Sequence, residues 1–250
     1  MKNIFRCIFL CSAALPVVSN AVTFDVRGGY RAGSHSYESR YKVSQGWKTG
    51  WWASIETDNK NNKNNGRGKN GTDKTDGSHS FGDSTTDYNE IEANYSWPLT
   101  DKWSLQPGGV YHWSSLGTQL RPYFRVNYKA TPDLTFGLRY RYDYNTYETI
   151  NSAGESHRDS VNRFDIFIGY KINPQWSVLY QGTAYRHVND DYKYKNDKAW
   201  GTENAFTLRY KWNEWVSPYI EYDYLGKQGY HDGKGERQES RYRVGVTFTL

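Results

Sequence analysis

Charged side chains alternate with apolar and aromatic ones along one stretch of the chain, and the charges are of a kind that binds carboxylates. Between Leu134 and Tyr144 the odd-numbered residues include Arg139, Arg141 and Asp143, whereas every even-numbered residue is Leu, Phe or Tyr. An arginine guanidinium is planar, stays protonated, and holds a carboxylate through two parallel hydrogen bonds. Because successive side chains of a β-strand point to opposite faces, this spacing predicts a strand with one charged and one apolar face.

The same alternation recurs along the chain and predicts twelve strands. They lie at about residues 22–31, 37–45, 51–58, 87–97, 103–113, 120–130, 134–144, 161–172, 176–186, 200–212, 215–224 and 240–250. Five connections are short and six are longer and more polar, and the two kinds alternate. A closed barrel in a bilayer turns its apolar face to lipid and its polar face to water, with short periplasmic turns and longer outer loops. The predicted fold is therefore all-β, a 12-stranded antiparallel transmembrane β-barrel of the outer-membrane porin type.

The start of the chain predicts a cleaved secretory signal peptide, residues 1–21, ahead of a barrel domain, residues 22–250. Lys2 and Arg6 form a basic start, an apolar run follows, and Ser19-Asn20-Ala21 offers the small residues that a signal peptidase reads. Both cysteines fall in this segment, so the barrel domain is predicted to have neither a disulfide nor a thiolate metal site. No cofactor, metal site or catalytic residue is predicted.

The composition argues against a nucleic-acid-binding protein and against a helical membrane protein. The barrel domain has a net charge of about +3, which is too small a bias to favour nucleic acid, and no apolar run approaches the roughly 18 residues of a membrane helix. Eight of the ten tryptophans lie at or beside the short turns: Trp47, Trp51, Trp52, Trp97, Trp103, Trp176, Trp212 and Trp215. Indoles favour the membrane–water boundary, so we predict an aromatic girdle there; turn-packing aromatics of a soluble β-sandwich are the alternative.

Basic side chains on the predicted inward faces form two opposed walls once the barrel closes. Strands 12, 1 and 2 carry Arg241, Arg243, Arg27, Arg40 and Lys42. Strands 6 to 8 carry Arg121, Arg125, Arg139, Arg141 and Arg163, and Arg209 lies on strand 10. Acidic residues separate the walls: Glu56, Glu90, Glu92, Glu203, Glu221 and Asp223. Facing rows of basic groups favour anions, so these eleven basic residues are the predicted pathway of a carboxylated sugar. A structural salt bridge is the alternative role for each of them.

Six runs of the chain also match a known family in their residues. They are 25–31 (DVRGGYR), 50–56 (GWWASIE), 139–143 (RYRYD), 202–206 (TENAF), 218–224 (PYIEYDY) and 242–246 (YRVGV). These runs resemble the oligogalacturonate-specific monomeric porins, and within them the members that conduct N-acetylneuraminate (sialic acid). The resemblance implies a narrow, monomeric channel for acidic sugars in the outer membrane of a Gram-negative bacterium, with two basic tracks along its lumen. Sialic acid is the implied substrate, and short oligogalacturonates are the alternative.

The last strand suggests one protein partner. Residues 242, 244, 246, 248 and 250 share an apolar face, which resembles the C-terminal signal of outer-membrane barrels even though Phe248 stands two residues before the terminal Leu250. We therefore expect recognition by the barrel-assembly machinery. Residues 59–86 are rich in Asn, Lys, Gly and Asp and are expected to form a solvated outer loop; a gate over the pore is the alternative.

Two other classes of function stay open at this point. A barrel enzyme of the phospholipase type would need a Ser/His pair near the outer loops, and His112, close to Ser114, is the nearest candidate. A histidine that faces a lumen more often sets the polarity of the pore, so an enzyme is not predicted. An adhesin or a purely structural barrel is the third class.

Overall fold

The fold is a ring of antiparallel strands, and the computed structural model describes residues 22–61, 80–82, 84–151, 153–194, 198–229 and 236–250. Within these ranges the twelve long strands, β1 to β12, are Val22–Arg31, Ser36–Gly46, Trp51–Lys60, Thr85–Tyr95, Trp103–Ser114, Gly117–Lys129, Leu134–Ile150, Ser156–Lys171, Trp176–His187, Trp200–Tyr210, Val216–Gly229 and Glu236–Thr249. A two-residue strand, Trp97–Pro98, continues the pairing of β4 with β5 beyond Ser96.

The ring closes because the first and last strands pair with each other. Phe24 of β1 lies opposite Phe248 of β12, and every other strand pairs with its neighbours in the chain. Within the described strands no long strand is left with an unpaired edge, which is what a bilayer demands of backbone amides and carbonyls. The predicted closed barrel is confirmed. Among the residues that the structure describes, no helical segment has both the length and the apolar character needed to cross a bilayer.

The two faces of the barrel have the inverted polarity of a membrane protein. Leu138 and Val244 expose 61% and 66% of their surface on the outer wall. Inside, Arg141 and Asp165 expose only 7% and 3%. An outward apolar surface of this kind is stable only in contact with lipid, so the sequence alternation is also confirmed by burial.

The outer ends of two hairpins are longer than predicted. The expected loop 145–160 is mostly strand, because β7 and β8 continue pairing as far as Ile150 and Ser156. Asn151 closes the remaining turn, since its Oδ1 accepts hydrogen bonds from the amides of Ala153 and Glu155 at 2.9 and 2.8 Å. Strands β11 and β12 likewise extend into the expected loop 225–239. The prediction of loops there was wrong because strand pairing continues beyond the apolar band.

A third expected loop, 114–119, is a tight hairpin turn. Ser114 pairs with Gly117, which leaves two residues between the strands. Gly117 adopts φ +137°, a conformation that glycine tolerates and other residues rarely adopt. The longer connection predicted at this position was therefore wrong.

The tryptophan girdle is only partly as predicted. Trp51, Trp97, Trp103, Trp176, Trp212 and Trp215 are exposed large side chains at the end of the short turns. Trp52 differs, because it shares a face of β3 with Glu56 and its ring lies 5.5 Å from the Lys42 ammonium. Trp52 therefore lines the lumen, and its assignment to the girdle was wrong.

Two predictions fall largely outside the described residues: the signal peptide, residues 1–21, and most of the long loop, residues 62–79. The described end of that loop lies against the outer wall. Ser80 Oγ donates a hydrogen bond to the carbonyl of Gly29 at 3.1 Å, and the Phe81 ring meets outward-facing Tyr41 edge-on at 5.9 Å. Gly28 leaves room for this contact, because a Cβ there would lie 2.9 Å from Ser80 Cβ.

Candidate functional site

Most of the predicted pathway residues line two adjoining cavities inside the barrel. One, of about 670 Å³, is lined by Arg121, Arg139, Arg141 and Arg163. The other, of about 400 Å³, is lined by Arg27, Arg40, Arg209, Arg241, Arg243 and again Arg163. Because both cavities share Arg163, the two predicted walls face one continuous interior. Arg125 lines a third cavity toward the short turns.

The wall formed by β12, β1 and β2 is a network of ion pairs with carboxylates. Arg243 donates to Glu38 at 2.9 Å and also contacts Glu221, and the second of these contacts joins residues directly opposite each other on β12 and β11. Arg27 lies 3.4 Å from the same Glu221 carboxylate. Gly29 makes room for the network, since a Cβ there would fall 2.7 Å from Glu38 Cγ.

The remaining cations of this wall are paired in the same way. Arg241 donates to Asp223 at 2.7 Å, and Arg40 donates to Asp25. Lys42 Nζ lies 3.0 Å from Glu56 of the adjoining acidic wall. Three of the acidic residues predicted to separate the two basic walls, Glu56, Glu221 and Asp223, therefore form ion pairs with this wall.

The opposite wall, on β6 to β8, is organised around Asp165. Its carboxylate accepts from Arg139 at 2.9 Å, from Arg163 at 2.8 Å and from the Thr183 hydroxyl at 2.7 Å. Arg141 holds Asp143 through two hydrogen bonds of 2.6 and 2.8 Å. A carboxylate this deeply buried needs such partners, because burial without them would destabilise the ionised form.

Ion pairing thus reaches nine of the eleven predicted pathway residues: Arg27, Arg40, Lys42, Arg121, Arg139, Arg141, Arg163, Arg241 and Arg243. The structural role foreseen as an alternative for each is therefore present. It does not exclude contact with a ligand, since a guanidinium has five N–H donors. The pathway itself stays a prediction.

Arg125 and Arg209 are the two exceptions among the described residues. Neither has a carboxylate within 4.0 Å. Arg209 donates to Thr247 Oγ1 at 2.7 Å and its guanidinium carbon lies 4.6 Å from the centre of the Tyr219 ring. The guanidinium carbon of Arg125 lies 4.0 Å from the centre of the Phe167 ring.

The sequence prediction missed the aromatic residues that carry these guanidinium groups. Tyr123, Phe167 and Tyr219 are buried on the inward faces, and Tyr185 lies 5.1 Å from the Arg163 guanidinium carbon. Aromatic rings attract a cation placed over their faces. The signal was present for Tyr123, Phe167 and Tyr219, since each occupies the charged face of its strand by the same alternation, but only the charged positions were assigned to the lumen.

The outer mouth is narrowed by the segment between β9 and β10. Tyr192 donates from its hydroxyl to the carbonyls of Thr149 and His157, at 2.6 and 2.8 Å. Tyr194 stacks on His187 with ring centres 4.3 Å apart, and it lines the larger cavity. Burial, with nearby carboxylates adding to the effect, raises the pKa of Tyr194, so this side chain remains a neutral hydroxyl. The outer mouth therefore combines aromatic rings with a carboxylate, since His187 Nδ1 lies 2.6 Å from Asp159.

The candidate for an enzyme pair does not form one. His112 Nδ1 lies 3.0 Å from Glu90 and its ring lies beside Tyr88. The Ser114 hydroxyl instead accepts a hydrogen bond from the amide of Leu116 at 3.2 Å. Among the described residues no group of His, Cys, Asp and Glu is arranged to hold a metal ion. His112 is a polar residue of the channel wall.

Comparison with known proteins gives consistent matches. A family described as oligogalacturonate-specific porin protein matches residues 16–250. The N-acetylneuraminic acid outer membrane channel protein NanC of Escherichia coli (strain K12) is 42% identical over 243 residues, which is 97% of this chain and 96% of that one. The oligogalacturonate-specific porin KdgM of Dickeya dadantii (strain 3937) is 28% identical over 178 residues, 68% of this chain and 70% of KdgM.

Solved structures agree on the architecture. A NanC porin structure superposes with a TM-score of 0.77 at 42% identity and covers 91% of this chain and 100% of its own. A KdgM porin superposes with a TM-score of 0.59 at 18% identity, covering 91% of this chain and 99% of its own, which supports the fold alone.

Proposed function

Because the chain belongs to the oligogalacturonate-specific porin family and is an outer-membrane channel rather than an enzyme, we propose that its cargo is acidic sugars, with N-acetylneuraminic acid as the main substrate. The observation that carries this proposal is the lumen itself, where Arg163 of one wall lines the same cavity as the arginines of the opposite wall and also lines the adjoining cavity. The 42% identity to a channel named for N-acetylneuraminic acid supports the choice of sugar.

The ion pairs favour fast passage over tight binding. A sugar carboxylate that approaches Arg139 or Arg241 meets a guanidinium already held by a protein carboxylate at 2.9 or 2.7 Å. The sugar therefore gains only a partial interaction at each position and moves on. Conduction needs this balance, because a site that binds too strongly holds its ion.

The proposal is tested by uptake into proteoliposomes. We expect radiolabelled N-acetylneuraminic acid to enter faster than the neutral sugar N-acetylglucosamine, and the excess to fall when Arg139 and Arg27 are both changed to Glu. Equal rates for the two sugars in the unaltered protein would show a general pore and end the proposal.

Oligogalacturonate is the second candidate substrate, and the family description and the relation to KdgM favour it. The same vesicles decide between the two. Trigalacturonate entering faster than N-acetylneuraminic acid at equal concentration would reverse our order of substrates, whereas slower entry supports it.

We also infer that residues 1–21 are removed during export, that the barrel acts as a monomer, and that assembly machinery engages β12. The outward face of β12 supports the last point, since Tyr242, Val244 and Phe248 are exposed there. Intact mass of the purified protein should place its first residue at Val22, and native mass spectrometry in detergent should give one chain per particle. A stable trimer would contradict the monomer.

A further inference from the structure

The two lumen arginines that have no carboxylate partner lie toward the end of the barrel with the short turns. Arg125 lies four residues before the end of β6 at Lys129, and Arg209 lies one residue before the end of β10 at Tyr210. Among the described residues, Lys129 and Lys171 at the same end also have no carboxylate within 4.0 Å. Outer-membrane barrels place their short turns in the periplasm. Among the described residues, an anion that crosses the neutralised centre therefore meets the two guanidinium groups without a carboxylate partner near the exit, and Lys227 lines the larger cavity toward the outer end.

Arg125 sits in a shaped cradle. Its guanidinium carbon lies 4.0 Å from the centre of the Phe167 ring, and Nε is buried without a hydrogen-bond partner. Gly137 on β7 opens the space that the group occupies, because a Cβ there would lie 2.9 Å from both Nε and Nη2 of Arg125. The ring fixes the plane of the fork, and a fixed planar fork is suited to a carboxylate.

Arg125 lines two cavities, and in the one that it shares with Arg139 no protein carboxylate lies within 4.0 Å of its guanidinium. This cavity, of about 400 Å³, is lined by one carboxylate, Glu92. Glu92 accepts a hydrogen bond of 2.7 Å from the Tyr123 hydroxyl. The second guanidinium that lines the cavity, that of Arg139, is bound to Asp165. Arg125 is therefore the guanidinium in this cavity that has no carboxylate within 4.0 Å, while Glu92 is held by a neutral hydroxyl and not by a cation.

We propose that Arg125, positioned by Gly137 and Phe167, is the subsite that binds the substrate carboxylate near the periplasmic exit and so sets the preference for sugar acids. The inference rests on the proposed function. A carboxylate that reaches Arg125 has no bound protein carboxylate to displace, whereas at the ion-paired arginines it must compete with Asp or Glu. Arg209, on its own aromatic ring, is the other predicted pathway residue that has no carboxylate within 4.0 Å.

Block of the chloride current by N-acetylneuraminic acid tests this in planar bilayers. Arg125→Gln removes the charge, and Gly137→Ala keeps the charge but displaces the guanidinium. We expect each change to raise the half-blocking concentration about tenfold or more, since hydrogen bonds to charged groups are the stronger kind. Only Arg125→Gln should also lower chloride selectivity in the absence of sugar.

Two variants serve as matched controls. Gly169→Ala also adds a methyl group to a strand glycine near the short turns, but its Cβ would meet Thr135 Oγ1 at 2.8 Å and no arginine. Lys211→Gln removes one positive charge from an exposed side chain at the same end. Both should leave the half-blocking concentration within about twofold of the unaltered channel, because neither moves the Arg125 guanidinium.

The possible outcomes separate this inference from the proposed function. If the unaltered channel neither conducts nor is blocked by N-acetylneuraminic acid or trigalacturonate, the proposed function fails and the subsite fails with it. If the unaltered channel is blocked and Gly137→Ala is blocked equally well, Arg125 is not the subsite while the channel function stands. If the other variants do not insert, the half-blocking concentration of Arg125→Lys, which keeps charge and bulk but loses the fork, tests whether Arg125 is the subsite.

Discussion

The centre of the lumen and its short-turn end use the same side chain in two different ways. In the centre, Asp165 binds both Arg139 and Arg163. At the short-turn end, Arg125 and Arg209 lie on the rings of Phe167 and Tyr219. The arginines of the centre are neutralised by ion pairs, whereas the two arginines at the short-turn end have no carboxylate partner. A count of the arginines in the lumen therefore does not measure how strongly a channel attracts anions.

Strand register explains the difference. In the centre, Arg139 lies directly opposite Asp165, and Arg243 lies opposite Glu221. Arg125 adjoins this centre, since it lies between Gln106 and Arg139. Arg209 lies between Ser177 and Tyr219. No acidic residue stands across from either arginine, so aromatic and neutral groups become their partners.

The largest expected effect concerns the orientation of the barrel in the outer membrane, which decides the side to which Arg125 and Arg209 face. Ile150→Cys, at the tip of the extended hairpin, should react fully with a membrane-impermeant maleimide on intact cells. Pro132→Cys, in a short turn, should react only after the outer membrane is permeabilised. Labelling is read as a mass shift on a gel, and labelling of position 132 alone would place the open arginines at the outer face instead.

Removing the central carboxylate should cost the barrel much of its stability. Asp165→Asn leaves Arg139 and Arg163 without their shared partner, and breaking a buried pair in this way costs roughly 3–5 kcal/mol. The measurement is the urea midpoint of unfolding in detergent or lipid vesicles. Asp101→Asn, on an exposed short turn, is the control and should shift the midpoint little. An unchanged midpoint for Asp165→Asn would show that the centre is not a structural network.

Ionic strength should separate the two regions without any mutation. Raising KCl from 0.1 to 1 M shortens the screening length from about 10 to 3 Å. Block by N-acetylneuraminic acid should weaken about tenfold, since the approach to an open cation is screened. The urea midpoint should change little, because buried pairs are screened much less. If salt changed the sugar block and the urea midpoint equally, the centre and the short-turn end would not differ in how their arginines are paired.

The smallest expected effect lies on the outer wall. Leu138→Ala trims an exposed lipid-facing side chain next to Arg139, and the lost apolar contact should lower stability by about 1–2 kcal/mol. Single-channel conductance and sugar block should stay at the unaltered values, since the change lies on the other face of β7. A clear fall in sugar block would show that the two faces are coupled through the strand.

The sequence was sufficient for the barrel and for the inward face of each strand. Alternation alone placed Arg139 and Asp165 in the lumen, because side-chain direction is a local property of a strand. It could not show that the two residues meet, since pairing depends on register between strands that are joined by a long hairpin. For the same reason the sequence could not show that Arg125 lacks a carboxylate partner, or that β7 and β8 continue pairing to Ile150 and Ser156.

The aromatic residues were within reach of the sequence. Phe167 lies two residues from Asp165, and Tyr219 lies two residues from Glu221, so each shares the charged face of its strand. Trp52 shares its face with Glu56 in the same way. They were missed because inward positions were assigned by charge. An aromatic residue at an inward position marks where a guanidinium finds an uncharged partner.

The lumen should prefer anions because Arg125 and Arg209 have no carboxylate partner. The most direct test is the reversal potential of the reconstituted channel in a KCl gradient. We expect chloride selectivity in the unaltered protein, and its loss when Arg125 and Arg209 are both changed to Glu. Potassium selectivity in the unaltered channel would contradict it, because the acidic residues would then dominate the lumen.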